Sequence, residues 1–182
     1  AELATMAGFG IISTITDTNL RAESATGDAF VDLSAIGPTY PLLGRVLSPQ
    51  LAAGQSVYDL LAPGTFAHGA LLDPVLLDQL GLAIGDTFSL GGTTFEVRGT
   101  LSKLPDGPVR GFRLGLTALV TDQGFAAVSD RTSPLPGLGT WFRYKLLLND
   151  RDAEAGKPAL EAAFADSGWT VRSARDGLGD MV

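Results

Sequence analysis

The stretch that decides the fold is DPVLLDQLGLAIGDTFSLGGTTFEV, residues 73–97. It opens with a typical helix start, in which Asp73 is the N-cap and Pro74 takes the first helical position. Leucines at helical spacing follow, and the helix is predicted to stop at Gly81, a residue type that favours the position after a helix end. The Gly-Asp pair at 85–86 then predicts a turn into a strand.

A Gly-Gly pair at residues 91–92 separates two short segments and predicts a two-residue β-hairpin. This turn places Phe88 opposite Phe95 and Leu90 opposite Thr93. The aromatic pair is therefore expected on the buried side of the hairpin.

The rest of the chain continues the mixture of strands and short helices. Residues 28–36 alternate, with Val31, Leu33 and Ala35 on one face, and turn residues at 25–28 predict a hairpin with the preceding strand. Proline steps predict a long irregular connection over 37–53. We expect strands at 9–15, 28–36, 66–72, 116–121, 142–148 and 169–171, with Phe142, Tyr144, Leu146 and Leu148 on one face of the strand at 142–148. We expect one helix that ends near Ala7 and two more at 122–128 and 158–166, the last with Leu160, Ala163 and Phe164 facing inward. This pattern predicts an α+β fold with mixed and antiparallel strands and short helices.

Composition narrows the function classes. The 182 residues are 45% hydrophobic and 18% charged, which excludes a disordered acidic protein, and there is no cysteine for disulfides or thiol catalysis. The net charge of -7 argues against nucleic acid and against an anionic bilayer surface as partners. We expect neither a transmembrane span nor a signal peptide in this chain, and a start at Ala1 rather than Met suggests a mature or excised fragment.

The search for a catalytic or metal-binding constellation finds little. The single histidine, His68, lies in an apolar segment, where a structural role is the simpler interpretation. Asp150, Asp152 and Glu154 precede a predicted helix, where negative charge favours the helix dipole, and they lack the continuation of a calcium loop. Neither a phosphate-binding loop nor a nucleophile elbow occurs. We therefore predict no catalytic, cofactor-binding or metal site.

Residues 76–91, LLDQLGLAIGDTFSLG, resemble a signature of the extracytoplasmic domains of ABC transporter permeases of the FtsX/MacB type. Tyr-Pro-Leu-Leu-Gly at 40–44 narrows this resemblance to the YbbP-like branch. Segments 104–115, with its Leu-Pro-Asp-Gly, Gly-Phe and Leu-Gly steps, and 139–144, with its Gly-x-x-x-x-Tyr, are similar to the same branch. The order and spacing hold from about Phe9 to Leu148.

The resemblance implies a MacB-like periplasmic core domain over 1–182, in which 1–60 with 140–182 form one lobe and 61–139 a second. It implies location in the periplasm, between two transmembrane helices of an inner-membrane permease that this chain does not include. The N-terminal lobe is expected to start late or to diverge. Implied partners are a cytoplasmic ABC ATPase, which supplies the ATP hydrolysis, a second periplasmic domain of the same permease, and lipid or lipoprotein.

Three functions remain open at this stage. The first is a non-catalytic interaction domain that couples ATP-driven motion of the membrane helices to lipid, lipoprotein or partner-protein handling. The second is a periplasmic binding domain for a hydrophobic ligand in transit, and the third is a stand-alone hydrolase using a residue such as His68 or Ser48. The candidate interaction surface lies in turn-rich loops, where apolar side chains either contact a partner or plug their own domain: Tyr40, Leu42, Leu43 and Phe112.

Overall fold

The structure, a computed structural model, describes residues 2–105, 116–134, 139–150 and 152–173. Its helices are α1 (Glu2–Phe9), α2 (Val57–Leu60), α3 (Pro74–Leu80), α4 (Asp122–Ala127) and α5 (Ala153–Ala163). Its strands are β1 (Gly10–Glu23), β2 (Asp28–Ile36), β3 (His68–Leu72), β4 (Thr87–Leu90), β5 (Thr93–Thr100), β6 (Leu116–Thr121) and β7 (Trp141–Leu148). The predicted α+β class is confirmed. Among the described residues, no helix is both long and apolar enough to cross a membrane.

The strands form one mixed sheet in the order β2-β6-β3-β5-β4-β1-β7. Strands β2 and β6 are parallel, as are β3 and β5, whereas the pairs β1–β2, β1–β4, β3–β6 and β4–β5 are antiparallel. Because β1 pairs with both β2 and β4, six strands close into a ring, and β7 lies outside it against β1. Ring closure gives these six strands partners on both sides and removes the free edges that promote aggregation.

The segment that decides the fold forms as predicted. The Asp73 carboxylate accepts a hydrogen bond from the Val75 amide at 2.8 Å, and α3 ends at Gly81, whose φ of 61° is left-handed. In the hairpin, Phe88 pairs with Phe95 and Leu90 with Thr93. The predicted hairpin of the first two strands is also confirmed, although β1 runs on to Glu23, well beyond Ile15, because nine of its residues pair with β2.

The two faces of the sheet carry separate apolar clusters. The first joins alternate side chains of the ring strands to α3 and includes Leu20, Val31, Leu80 and Phe95. The second lies on the opposite face, beneath the connection from β2 to α2, and is made of Ile15, Ile36, Tyr40, Val46, Val57, Leu61, Leu71, Leu101 and Leu119. The irregular connection thus owes its order to burial of its own apolar side chains.

The chain divides into two compact units, residues 1–12 with 145–182 and residues 13–144. In the first unit α1 packs against α5, and the Asn149 amide donates to the Phe9 carbonyl at 3.1 Å. Both apolar clusters lie entirely within the second unit. These bounds differ from the lobes expected from sequence, and that lobe division stays a prediction.

Two expectations for the C-terminal part are wrong. No strand forms at 169–171, where the Trp169 indole instead donates to the Glu2 carboxylate at 3.1 Å. The helix predicted at 158–166 is α5, which begins earlier because Asp152 caps it by accepting from the Ala155 amide at 3.1 Å, and Ala163, expected to face inward, is exposed. The strand predicted at 142–148 is confirmed as β7, and Phe142 near its start is 56% exposed.

Candidate interaction surface

The candidate surface is built on the connection between β2 and α2, residues 37–56. Its first turn is closed by the Tyr40 amide, which donates to the Gly37 carbonyl at 3.1 Å. Tyr40 is only 5% exposed and packs in the second apolar cluster with Ile15 and Ile36. Its position supports the alternative that this side chain plugs its own domain.

The middle of the connection is tied to the chain that follows β5. The Leu47 amide donates to the Lys103 carbonyl at 2.9 Å, and the Leu47 carbonyl accepts from Ser102 at 2.8 Å. Three residues on, the Gln50 side-chain oxygen accepts from the Thr100 amide at 2.9 Å. These bonds fix a loop that has no regular secondary structure of its own.

Between these anchors the loop presents apolar side chains outward. Leu43 is 71% exposed and Leu47 43%, Leu42 is half-buried, and Arg45 is exposed. Phe112, the other candidate, lies outside the described residues. The four candidates are therefore not equivalent, since Leu43 is on the surface and Tyr40 is in the core.

The charge around this loop is unlike that of the whole chain. No aspartate or glutamate occurs in residues 37–58 or in residues 97–105, although the net charge is -7. Among the described residues, no ion pair involves Arg45 or Lys103. Arg98 differs, because it pairs with Glu96 at 3.2 Å. These two segments are therefore apolar and cationic, although Asp59 and Asp106 directly follow them in the chain.

A second polar feature, missed by the sequence reasoning, lies on the outer face of β1 and β2. Asp17 accepts from the Ser34 hydroxyl at 2.7 Å and from the Arg143 guanidinium, and Asn19 donates to Asp32. The alternation of polar residues in both strands was the available signal, but nothing in the sequence indicated that β7 would bring Arg143 beside Asp17. Since each charged group here has a partner, the arrangement joins strands rather than forming an open site.

Tyr58 and Asp122 form a further contact, between α2 and the start of α4. The Tyr58 hydroxyl donates to the Asp122 carboxylate at 2.7 Å. Desolvation, reinforced by this hydrogen bond and by the negative charge of Asp122, raises the pKa of Tyr58 from 10.0 to about 12. Tyr58 is therefore a neutral hydrogen-bond donor at physiological pH.

Because the pKa of Tyr58 is raised, the folded protein is expected to lose stability at alkaline pH, and Tyr58→Phe should remove this pH dependence. The unfolded chain releases the phenolic proton near pH 10, whereas the folded chain holds it to about pH 12. The contribution is thus fully present below pH 10 and is lost as the pH rises towards 12. We expect Tyr58→Phe to cost about 0.5–1 kcal/mol near pH 7 and to unfold in urea with a flatter alkaline pH dependence than the parent. Asp122→Asn should flatten it in part, and identical alkaline profiles for all three proteins would contradict the assignment.

The two residues named for a hydrolase do not come together. His68 is half-buried, its ring lies 6.0 Å from that of Phe95, and its buried Nδ1 atom has no hydrogen-bond partner among the described residues. The Ser48 hydroxyl lies 3.3 Å from the Gln50 side-chain oxygen, and Gln50 contacts Thr100. Because Thr100 and Phe95 are five positions apart on β5, about 16 Å along the strand, Ser48 and His68 do not form a nucleophile–base pair.

Other features do not suggest a ligand site. An open depression of about 300 Å³ in the first unit is lined by Glu2, Thr5 and residues 162–167, most of them small or polar. Within the described ranges, no three histidine or carboxylate side chains are grouped for a metal ion. Asp150 and Asp152 act as local caps, each accepting a backbone amide near the start of α5.

Comparison with solved structures identifies similar folds. The closed mixed sheet with short helices is an α+β fold. It is similar to the crystal structure of the extracellular domain of the noncanonic ABC-type transporter YknZ from Gram-positive bacteria, with a TM-score of 0.55 and 15% identity, covering 93% of this chain and 82% of that one. A domain of a putative permease from Porphyromonas gingivalis gives a TM-score of 0.49 at 12% identity, covering 87% of this chain and 70% of that one. The sequence matches no family model and no curated protein.

Proposed function

We propose that this chain is the extracytoplasmic domain of an ABC transporter permease of the FtsX/MacB type, located outside the inner membrane of a bacterium. The domain is non-catalytic and transmits the motion of membrane helices, driven by a cytoplasmic ATPase, to lipid, lipoprotein or protein handling. The observation that carries this proposal is the similarity of the fold to the YknZ extracellular domain over 93% of the chain. The sequence signature at 76–91 supports it independently.

The course of two strands supports the coupling role. The first residues of β1 and the last four of β7 belong to the first unit, and the remainder of both strands belongs to the second. In the second unit, Arg143 bonds to Asp17, and the Thr140 hydroxyl lies 3.3 Å from that of Thr18. Both strands therefore run without interruption through the points at which the chain divides into the two units.

The alternative role, carriage of a hydrophobic ligand, has less support. The apolar cluster of the sheet is filled by large side chains, among which Leu20, Leu80 and Phe95 are 1% exposed or less. A carrier requires a concave apolar cavity of several hundred Å³. The described depression lies elsewhere and is lined by small and polar residues.

Location and partnership are tested in the complete permease. This chain has no cysteine, so Ile84→Cys, at a 52% exposed position, introduces its single thiol, and the permease without this substitution gives the background labelling. We expect a membrane-impermeant maleimide to label it in spheroplasts, and the cytoplasmic ATPase to co-purify with the permease. The matched control is Leu90→Cys, which is fully buried and should be labelled only after denaturation. Labelling of Ile84→Cys only after lysis would contradict the proposed location.

A further inference from the structure

We propose that the tip of the connection, formed by Leu43, Arg45, Leu47 and Lys103, docks on anionic lipid headgroups at a bilayer surface. We call these four residues the cationic tip. The inference rests on the proposed function, which keeps the chain beside a membrane, and it adds the surface that contacts that membrane.

The cationic tip is fixed in place rather than free to collapse onto the domain. The backbone of Leu47 is bonded to that of Lys103, which brings the two residues side by side. At Gly44, with φ of 76°, an added Cβ would lie 2.8 Å from the Pro105 Cβ atom, so this turn packs closely against the segment after β5. Leu43 remains 71% exposed at this turn.

The two segments that carry the cationic tip differ in charge from the chain as a whole. Exposed charges farther apart than the Debye length, about 8 Å at physiological ionic strength, are largely screened from one another. The segments that carry the cationic tip, 37–58 and 97–105, contain no carboxylate side chain. An approaching anionic surface would therefore meet Arg45 and Lys103 without an acidic side chain from these two segments.

The side-chain chemistry favours lipid over an acidic protein segment. Protein hot spots are typically aromatic or arginine side chains seated in well-packed pockets, whereas Leu43 and Leu47 are aliphatic and project from a turn. Leucine beside long cationic side chains suits the boundary between headgroups and acyl chains, where the stems stay apolar and the charged ends reach the phosphates.

The test places an environment-sensitive fluorophore on Leu43→Cys in this otherwise cysteine-free chain. We expect a blue shift on adding phosphatidylcholine vesicles that contain phosphatidylglycerol, no shift with pure phosphatidylcholine, and reversal by high salt. Each cation near an anionic surface contributes roughly a fivefold factor in affinity. Adding Arg45→Glu should therefore weaken binding by at least about tenfold. Because all these positions are exposed, the variants should fold like the parent.

The matched control is the same fluorophore on Ile84→Cys, which is 52% exposed but lies two residues from Asp86. This label should not shift with either vesicle. No shift of the Leu43 label, equal shifts of both labels, or a shift that survives Arg45→Glu would overturn the proposal. A Leu43 shift with an acidic leucine-containing peptide but not with vesicles would overturn it in favour of a protein partner. Labelling of Ile84→Cys in spheroplasts does not depend on lipid binding, so failure here is distinguishable from failure of the proposed function.

Discussion

Replacement of Phe95 by alanine is expected to destabilise the second unit by about 3–5 kcal/mol. Phe95 has no exposed surface, and its ring lies 6.3 Å from that of Phe88 and 6.0 Å from that of His68. Below it, a Cβ atom on Gly124 would come within 3.1 Å of the Phe95 ring, which shows how closely the ring is packed. Truncation leaves a cavity that β5, paired on both sides within the sheet, cannot close by moving inward. A domain with a typical total stability of about 5–15 kcal/mol would lose a large part of it.

Phe66→Ala is the matched control for Phe95→Ala. It deletes the same atoms from a side chain that is 93% exposed, two residues before β3. Its effect should stay within about 0.5 kcal/mol. Urea denaturation followed by circular dichroism measures both variants, and comparable losses for Phe66→Ala and Phe95→Ala would refute the described core.

The hairpin containing Phe95 was predictable because local chemistry decides it. A Gly-Gly turn sets the register of β4 and β5 without help from the rest of the chain. The N-cap at Asp73 and the left-handed Gly81 fix α3 in the same way. The bounds of β2 and β6 were also predicted, because apolar and polar residues alternate in β2 and most residues of β6 are apolar.

Pairing between distant strands was not predictable from these signals. The parallel register of β2 with β6, such as Val31 with Leu116, joins segments separated by 85 positions, and no turn specifies it. The same limit applies to the closure of the ring, where Ala22 pairs with Leu90. The strand predicted at 169–171 is wrong for a related reason. Its residue pattern favours a strand, but in the fold the Trp169 indole donates to the Glu2 carboxylate instead.

Only part of the candidate surface could be predicted from the sequence. Turn chemistry indicated that 37–53 is irregular, but burial of each side chain depends on what the loop crosses. Tyr40 meets the second apolar cluster and is buried, whereas Leu43, three residues on, projects from the turn at Gly44. The position of Lys103 beside this loop could not be predicted from the sequence, because the backbone bridge between Leu47 and Lys103 joins segments far apart in the chain.

The second large effect on stability is expected from substitution of Gly10 in the first unit, for which Gly8 provides the comparison. Gly10 begins β1, and an added Cβ would lie 2.0 Å from the Leu147 carbonyl oxygen and 2.9 Å from the Leu148 Cα atom. Both neighbours are backbone atoms of β7, so no side-chain rotation relieves the overlap. Gly8, two residues earlier in α1, has no atom within 4 Å of the same added Cβ.

Gly10→Ala is therefore expected to force β1 and β7 apart at this point and to destabilise the first unit by about 3 kcal/mol. Gly8→Ala should instead stabilise it by about 0.5–1 kcal/mol, because alanine is the better helix former. Amide hydrogen exchange of Asn149, whose N–H is bonded to the Phe9 carbonyl, measures both effects locally. Exchange should accelerate in Gly10→Ala and slow in Gly8→Ala, while amides of the β4–β5 hairpin in the second unit keep their protection. If Gly10→Ala left Asn149 protected, β1 and β7 would not approach as closely as described.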